Sequence, residues 1–113
     1  MIVFGGAAPS ETAAAGVEYL NDVWLYKQDA PSWELCSVRG TPPTGRAAHS
    51  AVLLRAPRPQ LVVFGGTNGG VVFDELWVLH VATGPRWEQV ATTGATPSPR
   101  SYHTCALGSN GVM

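Results

Sequence analysis

Ile2-Val3-Phe4-Gly5-Gly6 returns as Val62-Val63-Phe64-Gly65-Gly66, an offset of 60. Asp22-Val23-Trp24-Leu25 returns as Glu75-Leu76-Trp77-Val78 at an offset of 53, and Trp33-Glu34 as Trp87-Glu88 at 54. From there the register holds: Gly40, Pro43, Arg46 and His49 are matched by Gly94, Pro97, Arg100 and His103. The sequence is therefore an internal repeat with a period of just over fifty residues. The copies differ mainly by seven extra residues between Gly6 and Trp24. Length changes confined to junctions mark surface loops.

Within one copy four runs have strand character. Leu61 to Phe64 and Leu76 to Leu79 are apolar without alternation, as strands covered on both faces are. Trp87 to Val90 is shorter and more polar, which suits an edge strand. Ser101 to Leu107 is expected to supply the fourth. No segment has a capped helical period; Ala13-Ala14-Ala15 is the one helix-friendly spot, and Gly16 follows at once. The fold class is all-β. Four strands per unit of this length make one blade of a β-propeller, which buries its faces only against neighbouring blades.

An apolar run ending in Gly-Gly, an acid two residues before Trp, a second Trp and a Gly-x-x-Pro-x-x-Arg-x-x-His segment together resemble the kelch repeat. The Pro-x-x-Arg-x-x-His form is more similar to the host-cell-factor and Rab-effector kind than to the kind joined to BTB domains. The resemblance implies a partial kelch-type propeller of four-stranded antiparallel blades, with the Arg-x-x-His run innermost and Gly-Gly ending the second strand. Residues 1–38 are then the outer strands of one blade, 39–91 a complete blade and 92–113 the start of a third. Val112-Met113 reads as the opening of a further second strand. A closed ring needs about six such blades.

Composition narrows the function. The chain has 113 residues, a net charge of −1, 45% hydrophobic and 13% charged residues. That is enough apolar surface for a core and too little charge for disorder. A nucleic-acid partner calls for a basic footprint, which is missing; Arg55-Ala56-Pro57-Arg58-Pro59 reads as a solvated turn. No apolar run is long enough for a membrane-spanning helix. Two cysteines, Cys36 and Cys105, are few for a secreted disulfide framework. With no Asn-x-Ser/Thr sequon and no basic-then-apolar N-terminus, this leans toward a reducing, cytoplasmic compartment.

Each chemistry-bearing motif has a structural reading. Gly65-Gly66-Thr67-Asn68-Gly69-Gly70 is glycine-rich but lacks the Lys-Ser/Thr and helix of a phosphate loop, so both Gly-Gly pairs are expected at positive φ where a neighbour comes close. His49 and His103 recur because each fills an equivalent pocket, and His80, matched by Lys27, is expected to be exposed. Kelch-like folds include copper radical oxidases, but adjacent Tyr102 and His103 point to opposite faces of a strand, and His103 with Cys105 falls short of a metal site. The iron-binding run of the plant specifier proteins does not occur, nor does a nucleophile elbow. No cofactor and no catalytic residue is expected. Asp22 and Glu75 recur as structural acids. Phe4, Phe64, Trp24 and Trp77 are expected to be largely buried.

Arg46 and Arg100 admit two roles: tying a loop to carbonyls or an acid, or holding a partner's carboxylate. The resemblance places the loops Ala7 to Tyr19, Val38 to Gly45, Thr67 to Val72 and Thr92 to Pro99 on one face. Their neutral, hydroxyl-bearing surface suits a protein or peptide partner, with Arg46, Arg100, Tyr102, Thr67 and Asn68 as candidate contacts. The alternative is the propeller portion of a larger enzyme whose catalytic residues lie elsewhere. Because both end blades present an apolar face, the 113-residue chain is expected to self-associate or aggregate rather than persist as a monomer.

Overall fold

The computed structural model describes residues 1–82 and 84–108. It is all-β: strands β1 (Ile2–Pro9), β2 (Val17–Lys27) and β3 (Ser32–Leu35) form one antiparallel sheet, and β4 (Ser50–Leu54), β5 (Gln60–Phe64), β6 (Leu76–His80) and β7 (Arg86–Val90) a second. Both sheets are simple meanders. The apolar runs lie where continuous burial demands them: Leu61, Val62 and Val63 are all buried, as are Trp77, Val78 and Leu79. The turn at 55–59 is exposed. Among the described residues no helix could cross a membrane.

The core is the joint between the sheets. Phe4 and Val23 of the first meet Leu61, Val63, Trp77, Leu79 and Trp87 of the second. The Phe4 ring lies edge-on to Trp87 at 4.9 Å, and Trp77 stands edge-on to Trp87 at 6.2 Å. These are the favoured geometries for rings with negative faces and positive edges. Backbone bonds continue the joint, with Trp87 N–H donating to the Arg39 carbonyl (3.0 Å) and Arg39 N–H to Pro85 (2.9 Å).

Four expectations need correction. Ser101–Leu107 is not a strand. It makes isolated contacts, such as Tyr102 N–H to the Ala48 carbonyl (2.8 Å), because a ladder needs a partner. Its repeat equivalent, β4, pairs only with the following strand, β5. The expected strand at Val112-Met113 lies outside the described residues. Second, both ends of Ala7 to Tyr19 are strand, leaving only residues 10–16 as loop: after a bulge between Phe4 and Gly6 the ladder resumes at Gly6–Leu20 and runs to Pro9–Val17. Backbone groups in a long loop need partners, and the extra residues find them in each other. Third, Trp24 and Phe64 are half-buried whereas Phe4 and Trp77 are buried, since Trp24 and Phe64 face away from the joint. Fourth, His80 is half-buried, its ring between Gln60 and Glu88 (3.4 and 2.8 Å).

Candidate functional site

The candidate face is built on the segment that leaves the first sheet and enters the second. Arg46 N–H donates to the Leu20 carbonyl (3.0 Å), its own carbonyl accepts from Gly6 N–H (2.8 Å), and Ala47 exchanges two 2.9 Å bonds with Thr67. The segment is thus stitched between the β1–β2 and β5–β6 hairpins. The stitches recur one repeat later, where Arg100 N–H donates to Phe73 (3.1 Å) and its carbonyl accepts from Gly66 N–H (2.9 Å).

Close approach explains Gly5, Gly65 and Gly66, whereas Gly6 faces open space and is required by its φ of 106° alone. Gly5, Gly6, Gly65 and Gly66 all have positive φ, as expected. A Cβ on Gly5 would stand 2.8 Å from the Arg46 carbonyl, and one on Gly65 2.5 Å from that of Arg100. No side chain fits there.

Arg46 is fully buried. Its Nε donates to Thr44 O (3.0 Å), Nη1 to Gly65 O (3.1 Å) and Nη2 to Glu75 Oε1 (2.7 Å), and the guanidinium lies 4.0 Å over the Phe73 ring. One fork thereby ties the inner segment to the end of β5 and the start of β6. Glu75 also accepts from Trp77 Nε1 (3.1 Å) and Gln89 Nε2 (3.4 Å). Burial pushes its carboxyl up, but the bonds from Arg46, Trp77 and Gln89 and the Arg46 charge outweigh that and hold it below 4.5. Asp22 repeats the arrangement, accepting from Trp24 Nε1 (2.9 Å). Both acids recur because each orients a Trp two residues on.

His103 Nε2 lies 3.1 Å from the Phe64 carbonyl and 2.8 Å from Ser50 Oγ. A carbonyl can only accept, so the ring proton sits on Nε2. The His49 ring takes the equivalent place, 5.2 Å from the Phe4 ring as His103 lies 5.5 Å from that of Phe64. In both rings Nδ1 is buried without a partner; on His49 a second proton would therefore be buried unpaired. Burial first, then the Arg46 cation, push the His49 pKa below 6.5, with the Phe4 backbone opposing and His103 reinforcing. The unfolded chain then takes up a proton near 6.5 that the folded chain refuses. The stability due to neutral His49 is full above that pH and is lost as pH falls below it. Urea midpoints between about pH 7 and pH 5 should therefore fall more steeply for the wild type than for His49→Gln. Parallel profiles would show that His49 is not a proton-linked strut.

The remaining candidates sit at the rim. Thr67 and Asn68 are half-buried and shape their own turn: Thr67 Oγ1 donates to Val71 O (2.8 Å) and accepts from Gly69 N–H (3.0 Å), while Asn68 Oδ1 accepts from Gly70 and Val71 (3.0 and 2.8 Å). Such side-chain turns replace backbone bonds. Arg100 is exposed and reaches Ser98 O and Oγ (both 3.1 Å). Tyr102 is 86% exposed at φ 59°, and its repeat partner Ala48 has φ 57°. A non-glycine residue in the left-handed region costs of order 1–3 kcal/mol and is held by its surroundings. Here the Tyr102–Ala48 bond holds it, beside the Ala47–Thr67 bridge, with the ring projecting into solvent. Sequence reasoning missed this backbone, because only the folded chain displays φ. Among the described residues no group of three or more His, Cys, Asp or Glu side chains could hold a metal, and Cys36 and Cys105 are free thiols.

The sequence is similar to larger proteins of varied kind. It is 35% identical over 111 residues to the dynein alpha chain of the flagellar outer arm of Chlamydomonas reinhardtii, covering 95% of this chain and 2% of that one. It is 32% identical over 111 residues to acyl-CoA-binding domain-containing protein 5 of Arabidopsis thaliana (97% and 16%) and 34% over 117 residues to human host cell factor 2 (96% and 14%). The chain thus spans about a sixth or less of these relatives. The family model for the KLHDC2/KLHL20/DRC7 Kelch-repeats domain matches residues 1–113. With two successive meander sheets joined through repeated Arg, His and Trp positions, the chain belongs to the kelch-repeat family, whose domains generally serve as protein–protein interaction modules.

Proposed function

We propose that this chain is a non-catalytic binding module that takes a protein or peptide on the face formed by the β1–β2 hairpin tip, the Thr67–Val72 turn and the Tyr102 loop. The supporting observation is Tyr102, an aromatic ring in solvent whose backbone is bonded to Ala48, beside two hydroxyl-bearing turns. Large amphipathic rings on fixed backbone bind at low entropic cost. Tyr102, Thr67 and Asn68 carry the contact. Arg46 and Arg100 position the loops, because the guanidinium donors of Arg46 are engaged internally and Arg100 binds its own loop. The rim carries few charges, with Glu11 and Glu18 exposed on the hairpin, and so favours a neutral peptide over a highly anionic ligand.

Peptides selected from a displayed random library on the wild-type chain provide the test. Tyr102→Ala should weaken the selected peptides about 30-fold, as loss of an aromatic hot spot does. Arg58→Ala, on the turn between β4 and β5, should leave them unchanged. Peptides indifferent to Tyr102→Ala and to shortening of the hairpin tip would place recognition elsewhere.

A further inference from the structure

The open sides of the chain are the two halves of its own internal joint. On the second sheet the joint uses Leu61, Val63, Leu79 and Trp87, and their repeat counterparts on the first sheet are Met1, Val3, Tyr26 and Trp33. Trp87 is 6% exposed, but Trp33 is 49% and Met1 72%. On the other half, Phe4, Val23 and Cys36 lie around Trp87, and His49 packs against Phe4. Their counterparts Phe64, Leu76, Val90 and His103 line an unfilled cleft of about 550 Å³. Gly94 has φ 78°, close to the 84° of Gly40. A Cβ on Gly40 would stand 3.1 Å from the Trp87 carbonyl, whereas one on Gly94 would meet open space.

The backbone shows the same pair of halves. The first sheet is ordered β1-β2-β3, leaving one edge of β1 unpaired, where the second sheet has β4 against β5. The β4 counterpart, Thr104 to Gly108, has no ladder. Arg100 copies the Arg46 bond to the residue two before it, but among the described residues it has no carboxylate partner.

We propose that a second copy of this chain docks head to tail, its β1 pairing with Thr104–Gly108 and its Trp33 filling the cleft. Ser50 pairs with Phe64 in the second sheet, so Thr104 pairs with Phe4 of the incoming copy. Thr93 exchanges backbone bonds with Pro31 and Trp33 as Arg39 does with Pro85 and Trp87. Arg100 finds the Gly5 carbonyl and Asp22, the counterparts of Gly65 and Glu75. Two departures weaken the copy relative to the original. Thr93 cannot repeat the Arg39 Nη2 bond to Gly84 O (2.9 Å), and Tyr26 stands where Leu79 packs. The contact is heterologous, so it propagates until a ring closes. Two to four copies would give roughly the four to eight blades of propellers.

Sedimentation velocity of the 113-residue chain over a range of concentrations tests this, with two variants at exposed positions. Trp33→Ala removes the knob and Thr92→Arg obstructs the cleft. Wild type should associate as concentration rises, and each variant should weaken association about 30-fold, as loss of a central anchor does. Circular dichroism should show unchanged β-structure in both. An equimolar mixture should form a dimer and nothing larger, because only the Thr92→Arg knob and the Trp33→Ala cleft remain intact. A wild-type chain monomeric at every concentration, association indifferent to both variants, or a mixture that does not dimerise would overturn the proposal.

Discussion

Arg46→Ala should lower the unfolding free energy by about 3 kcal/mol, the low end of the cost of breaking a buried ion pair from one side, because the Glu75 left behind is 31% exposed. The substitution strands the Gly65 carbonyl, removes the strongest bond to Glu75 and leaves a guanidinium-sized void under Phe73. Arg46→Lys should recover only part of the loss, since one ammonium cannot span Thr44, Gly65 and Glu75 with a planar fork. Arg58→Ala, on an exposed turn, should stay within about 0.5 kcal/mol. Urea titrations at one fixed protein concentration would measure all three. A loss at Arg46 no larger than that at Arg58 would mean the fork does not hold the segment between the hairpins.

Trp87→Ala is the second large effect, expected at about 3–5 kcal/mol from lost burial and the cavity left behind. Its consequence differs in kind. Trp87 lies in the second sheet but packs on Phe4 of the first, so the variant should uncouple the sheets as well as destabilise them. Amide exchange should show β1 to β3 opening at lower free energy than β4 to β7. A double-mutant cycle with Phe4→Leu should return a coupling of about 0.5–1.5 kcal/mol, the range for aromatic pairs. Zero coupling with uniform exchange would assign the joint to the aliphatic residues instead.

The repeat made the architecture readable before any coordinates. Gly5-Gly6 and Gly65-Gly66 announced positive φ because nothing else explains two glycines ending each apolar strand. The matched acids Asp22 and Glu75 signalled a structural role through recurrence alone. Burial was only half legible, because the pattern shows that Phe4 and Phe64 share a position but not that only one has a neighbour. The same limit applies to Ser101–Leu107, whose residues suit a strand while pairing depends on what lies beside them. At the candidate face, loop composition pointed to the region, yet the φ of 59° at Tyr102 has no signature in a tyrosine. Arg46 and Arg100 are identical in the motif. The folded chain separates them, one enclosed and the other in solvent.

The two hairpins of the face begin with equivalent rungs, Ala7–Tyr19 and Thr67–Val72. The first then adds the Ala8–Glu18 and Pro9–Val17 rungs before it turns. Because successive residues of a strand point to opposite sides, the direction in which the tip leans depends on the parity of the rungs beneath it. Lengthening both arms by one residue swings the tip to the opposite side; lengthening both by two restores its aim and pushes it outward by nearly 7 Å at about 3.3 Å per residue. Adding to one arm alone forces a new bulge. Reach and aim on this rim are therefore separate variables, adjustable without disturbing the stitches at Leu20 and Arg46.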